Sequence, residues 1–227
     1  MENIKYSVLI VDDHPLIIES YKTALKYYSK ENDSILFLVH TANDCDSGYE
    51  LINDFYKKKK YPDIVFLDIQ LPPSSDGKIL SGEDLGLKIK KLLPSTKIIV
   101  STTFNDNYRI HSIFKSLYPD GFLIKNDITP KKLIEAIDVV INDPPYYTKT
   151  IVKLLSKQVA NDFLLDSIDR QILYELSIGT RMKDLPDVIP LSIAGIEKRK
   201  RHLKTVFNTH STDDKELLLK AKEKGFI

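Results

Sequence analysis

Five short runs rich in Ile, Val, Leu and Phe, at residues 6–11, 35–40, 63–68, 97–102 and 121–125, alternate with segments of helical spacing. Runs of this length and continuity suit strands buried on both faces of a parallel sheet. Between them, Ile17, Tyr21, Ala24, Leu25 and Tyr28 share one helical stripe, and Leu133, Ile134, Ile137, Val140 and Ile141 share another. Thr129 and Pro130 supply an N-cap and a first-turn proline for the second stripe. The alternation predicts an α/β doubly wound, five-stranded parallel sheet with right-handed crossovers.

The rhythm stops at Asp143-Pro144-Pro145, which cannot extend a helix. From residue 164 onward the pattern is all helical. Asp166 caps a helix carrying Ile168, Ile172, Leu173 and Leu176 and ending at Gly179. Ser192 caps a second, with Ile196, Leu203, Val206 and Phe207 inward, and a third runs over about residues 213–224. The expected organisation is therefore an α/β domain at 1–143, a partly helical linker at 144–163, and a small all-α domain at 164–227. The 227 residues suit two modest domains, and 42% hydrophobic residues can fill their cores. Lone Cys45 has no disulfide partner, and no apolar run reaches the ~18–20 residues of a membrane span. The first strand begins too early for a signal peptide. A soluble cytoplasmic protein without a membrane partner is expected.

Three carboxylates close strands of the first domain. Asp12 and Asp13 follow the first run, and Asp68 ends the third. In an open parallel sheet, ligands bind beyond the C-terminal strand ends where strand order reverses. If the first and third strands are neighbours, these acids converge and repel unless a cation joins them. Carboxylate and carbonyl oxygens suit Mg²⁺, which keeps waters and accepts phosphate oxygens. Thr102 and Lys125 end the fourth and fifth runs, placing a hydroxyl and a cation where a phosphoryl group needs them. Ser101 and Thr103 flank Thr102 as alternative hydroxyls.

Residues 5–142 resemble a response-regulator receiver domain. The resemblance rests on Leu9-Ile10-Val11-Asp12-Asp13-His14-Pro15, Asp63-Ile64-Val65-Phe66-Leu67-Asp68-Ile69-Gln70-Leu71-Pro72, Ile99-Val100-Ser101-Thr102 and Gly121-Phe122-Leu123-Ile124-Lys125. It implies that Asp68 accepts a phosphoryl group from a histidine kinase. It also implies Mg²⁺ held by Asp13, Asp68 and the Gln70 carbonyl, with Asp12 acting mainly through water. Thr102 and Lys125 would contact the phosphoryl oxygens, and Phe122 would be the switch aromatic that turns inward on activation. This chain departs from the pattern at residues 73–80, a longer loop than usual, and at Asn126 after Lys125.

Five basic residues crowd into 198–204, although the whole chain balances 33 Lys+Arg against 32 Asp+Glu. Residues 185–207 read as helix, turn, helix. A basic second helix can enter a DNA major groove, with Arg201 and Glu197 on base edges, Lys200 and Lys204 on phosphates, and Lys198 on the same outward face. Residues 164–227 resemble the LuxR-type helix-turn-helix of NarL/FixJ-class regulators. The carriers are Asp169-Arg170-Gln171-Ile172-Leu173, Leu176-Ser177-Ile178-Gly179, Leu191-Ser192-Ile193-Ala194-Gly195-Ile196-Glu197 and Ala221-Lys222-Glu223-Lys224-Gly225-Phe226-Ile227. The resemblance implies a phosphorylation-controlled transcription regulator, not an enzyme, that binds double-stranded DNA and forms a homodimer on activation. Gly195, Glu197 and Arg199 depart from the family's usual Thr, Lys and His, so the DNA sequence preferred by relatives does not transfer. The rival reading is a phosphorelay or protein-interaction module with a degenerate effector. A hydrolase using Asp68 as nucleophile finds no support, since no glycine-rich phosphate loop accompanies it.

Overall fold

The computed structural model describes residues 4–104, 106–156, 165–209, 211 and 213–227. The chain divides into two compact units, residues 1–105 with 113–157, and residues 106–112 with 158–227. The last part of the expected linker, residues 157–163, lies outside the described residues.

The first unit is built on strands β1 (Ile4–Val11), β2 (Ile35–Ala42), β3 (Ile64–Asp68), β4 (Lys97–Thr102), β5 (Gly121–Ile124) and β6 (Tyr146–Tyr147). Its helices are α1 (Pro15–Glu31), α2 (Cys45–Lys58), α3 (Gly82–Leu92), α5 (Pro130–Asn142) and α6 (Lys149–Leu155), with α4 (Asn107–Leu117) crossing the division between the units. All strand pairs are parallel, in the order β2-β1-β3-β4-β5-β6. Alternate residues serve opposite faces. Val8, Ile10, Ile64, Phe66, Ile99 and Leu123 join Tyr21, Leu25, Leu133, Ile137 and Val140 in one core layer beneath α1 and α5. On the other face Gly48 and Gly86 let α2 and α3 approach Val11 and Leu67 closely.

The sheet has six strands, not the five expected. Tyr146 N donates to Asp120 O at 3.0 Å, Thr148 N donates to Phe122 O at 3.1 Å, and the Tyr147 hydroxyl donates to Pro119 O. A strand of two residues is too short to show a period, and the prolines before it mark only the end of α5. The 73–80 insertion is a closed turn. Ser74 and Ile79 exchange a backbone bond at 2.8 Å, Ile79 N also donates to the Ser74 hydroxyl, and Ser75 N donates to Asp46. Gly77 makes the tight turn with φ of 65°, a conformation that side chains disfavour.

The second unit contains α7 (Ser167–Ser177), α8 (Ile193–Val206) and α9 (Lys215–Glu223). Ile172, Leu173, Leu185, Ile196, Leu203, Phe207 and Leu217 form its core. Asp166 and Asp169 make a reciprocal capping box at α7, and the Ser192 hydroxyl accepts from Gly195 N at the start of α8. The element expected to precede α8 as a helix is only a 3₁₀ turn, Leu185–Asp187. Pro186 suits a first turn, but Pro190 prevents it from propagating. No helix among the described residues is long and apolar enough to cross a membrane.

Candidate functional site

Register brings the acids together. Val11 pairs with Leu67, Asp68 with Ser101, and Thr102 with Ile124, so Asp12, Asp68, Thr102 and Lys125 stand abreast at the C-terminal edge. The order β2-β1-β3 reverses direction between β1 and β3, the place where such sheets bind ligands.

Asp12 and Asp68 are both 1% exposed, and Thr102 is fully buried. Lys125 Nζ reaches Asp68 Oδ2 at 2.7 Å and Asp12 Oδ2 at 2.8 Å. Gln70 N donates to Asp68 Oδ1 at 3.0 Å, leaving the carboxylate held at both oxygens. Burial raises the Asp68 pKa above the ordinary carboxylate range, with the Lys125 bond and charge and the Gln70 amide only partly offsetting it, and the Asp12 charge adds to the rise. Burial also opposes charge on Lys125, but hydrogen bonds to Asp12 and Asp68 outweigh it and lift its pKa. The ammonium therefore remains charged and bridges two buried acids.

The alternative hydroxyls are occupied elsewhere. Ser101 Oγ accepts from the Tyr21 hydroxyl at 2.7 Å, and Thr103 donates to the Gln70 side chain. Thr102 Oγ1 accepts from Phe104 N at 3.1 Å. Phe122, expected to turn inward on activation, is already fully buried, with its carbonyl bonded to the chain beyond β6.

Asp12, Asp13, His14 and Asp68 each offer a ligand atom, and these atoms lie within 4.8 Å of one another. Of these three carboxylates, Asp12 and Asp68 share the one ammonium of Lys125 while Asp13 lies against the His14 ring, so the donor set retains a negative excess that a dication would neutralise. His14 was the residue that motif reading passed over. Its signal is its place immediately after two acids that close a strand.

The basic helix divides its cations. Arg199 Nη1 holds Asp166 and Asp169, each at 2.8 Å, tying α8 to the cap of α7. Lys200 and Lys204, expected on phosphates, both pair with Asp214 at 2.9 and 3.0 Å, and Lys204 also donates to the Asp213 carbonyl. Glu197, Lys198 and Arg201 remain exposed together on the outer face. Burial works to raise the Asp214 pKa, but the Lys200 and Lys204 bonds prevail and lower it. A lowered folded pKa stabilises above the unfolded value, about 3.9, and that stability is lost as pH falls through the folded value. Asp214→Asn is expected to cost about 1 kcal/mol near neutrality, and thermal melts should show the gap closing below pH 4.

A family model described as response regulator receiver domain matches residues 8–138. Oxygen regulatory protein NreC of Staphylococcus epidermidis is 25% identical over 217 residues, covering 90% of this chain and 92% of its own. NreC of Staphylococcus aureus (strain JH9) is 25% identical over 210 residues, covering 87% and 89%. In fold, the chain is similar to RcsB from Salmonella enterica serovar Typhimurium bound to promoter rprA in the presence of phosphomimetic BeF3⁻. That match has a TM-score of 0.66 at 22% identity, covering 96% of this chain and 99% of that one. The structure of two RcsB dimers bound to two parallel DNAs matches with a TM-score of 0.57 at 22% identity, covering 96% and 98%.

Proposed function

Since the chain belongs to the response regulators, with their receiver domain at residues 8–138, we propose that it is a DNA-binding transcription regulator switched by phosphorylation of Asp68. The observation that carries this reading is the buried Asp68 carboxylate, held by Lys125 at 2.7 Å and beside Thr102 at the sheet's switch point. A carboxylate oxygen of Asp68 attacks the phosphorus of a phosphohistidine on a kinase. The P–N bond breaks, the imidazole leaves, and an acyl phosphate forms. Lys125 and the Thr102 hydroxyl receive the charge on the phosphoryl oxygens. Asp12, Asp13 and Asp68, with the Gln70 carbonyl, would hold a divalent cation such as Mg²⁺, which supplies charge neutralisation when bound.

The relatives support the output. One similar RcsB structure is bound to promoter rprA, another has two RcsB dimers bound to two parallel DNAs, and NreC is an oxygen regulatory protein. DNA is read here by the exposed face of α8. Arg201 pairs with guanine O6 and N7, Glu197 accepts from cytosine N4, and Lys198 contacts the backbone. Lys200 and Lys204 reach phosphates only by releasing Asp214, so their first task is to hold the turn before α9. Phosphorylation favours the homodimer, and the protein meets both kinase and chromosome in the cytoplasm.

DNA selected from the protein's own genome, with and without a small phosphodonor, tests the whole reading. Phosphodonor should tighten binding to the selected sites, and equal affinity in both conditions would refute phosphorylation control. Arg201→Ala is expected to cost about 1–3 kcal/mol on the preferred site and to relax discrimination there. Titrations on specific and random duplexes measure it, and an unchanged affinity ratio would move base reading to other residues.

A further inference from the structure

The cation site contains one donor that is not oxygen. His14 Nδ1 lies 2.6 Å from Asp13 Oδ1 and 3.3 Å from Asp12 Oδ1. Two adjacent donors on a small octahedral cation stand about 3 Å apart, so the imidazole already occupies the neighbourhood of a coordination position. Its backbone is held there. His14 N donates to Asp12 Oδ1 at 3.0 Å, and Pro15, the next residue, is the first of α1. His14 occupies the cap position of that helix, but its side chain makes no capping bond and its Nδ1 instead faces the Asp12 and Asp13 carboxylates. The ring side chain is 63% exposed, leaving room for waters to complete a coordination shell.

We propose that His14 is a metal ligand, making the acidic site a mixed nitrogen–oxygen centre that takes a first-row transition dication more tightly than Mg²⁺. Mg²⁺ gains little from nitrogen and prefers oxygen and water. Imidazole suits borderline cations, and affinity at a shared site rises from Mn²⁺ through Co²⁺ to Ni²⁺. The nitrogen must present a lone pair, so binding places the ring proton on Nε2, toward solvent. Discrimination against Mg²⁺ should therefore grow along the series, with His14 as its source. The inference rests on the reading of this cluster as the cation site of phosphorylation.

Calorimetric titration of the full chain with Mg²⁺, Mn²⁺, Co²⁺ and Ni²⁺ tests it, alongside His14→Gln. Loss of the imidazole should weaken Ni²⁺ and Co²⁺ binding by about tenfold or more while changing Mg²⁺ less than about twofold. Mn²⁺-loaded protein should show nitrogen modulation in its pulsed electron paramagnetic resonance spectrum, and His14→Gln should lose it. Equal weakening of all four cations, or no nitrogen coupling in the wild-type protein, overturns the proposal. Mg²⁺ binding that Asp13→Asn abolishes keeps the underlying site reading intact even then. A wild-type chain that binds none of the four overturns both.

Discussion

Replacing Asp68 with Asn is expected to abolish phosphoryl uptake completely. The amide offers neither the nucleophilic carboxylate nor the mixed anhydride that would form from it. The same change should not weaken the fold. Burial raises the Asp68 pKa above its ordinary value, so the ionised form is less favourable in the native state than in the unfolded chain at neutral pH. Asn removes that penalty, keeps an acceptor for Gln70 N, and leaves Lys125 paired with Asp12. Intact-mass measurement after treatment with a small phosphodonor and Mg²⁺ should therefore show one added phosphoryl group in the wild type and none in the variant. The variant's melting temperature should equal or exceed that of the wild type. Uptake that persisted in Asp68→Asn would assign the chemistry to another group.

Gly82→Ala is expected to be the most damaging small substitution in the receiver. A Cβ at Gly82 would lie 1.7 Å from Asp68 O, 2.8 Å from Asp68 C and 3.0 Å from Ile69 Cα. All three are backbone atoms, so no side-chain rotation relieves the overlap. Gly82 N also donates to Ile69 O at 3.1 Å, which fixes the approach. The added methyl must push α3 away from the strand that carries Asp68. Overpacking commonly costs about 1–3 kcal/mol, and a clash with backbone belongs above that range. Domain stabilities are about 5–15 kcal/mol, so the loss is a large share of the total. Urea unfolding should show the receiver transition at a much lower midpoint, with phosphorylation slowed in whatever remains folded. A midpoint within the error of the wild type would mean that α3 shifts at no cost.

The first five strands were legible because each centres on three to five consecutive apolar residues, and their polar ends mark one edge. Asp12, Asp68, Thr102 and Lys125 stand together once those strands are parallel and in register. Helix starts were legible where one side chain bonds locally, as at Thr129, Asp166 and Ser192. Two features were hidden for different reasons. β6 has only two residues, so neither alternation nor propensity could register it. The engagement of Lys200 and Lys204 by Asp214 depends on how the turn after α8 folds back, which helical spacing does not contain. The short 3₁₀ turn before α8 was written in Pro186 and Pro190 but outweighed by the helix-turn-helix layout.

A parallel sheet ends in a row of unsatisfied amides and carbonyls, which invites strands from other molecules. On the β5 side this chain covers that row with a strand of only two residues, through Tyr146 and Thr148 on Asp120 and Phe122, so the edge left open is short. The segment that closes the edge is the one that leaves the receiver for the effector. Cover for the sheet edge and connection to the second unit are thus entrusted to the same few residues. Selection on the linker is thereby constrained twice: a change that alters its reach toward the effector also alters how well the receiver resists adhesion to its neighbours.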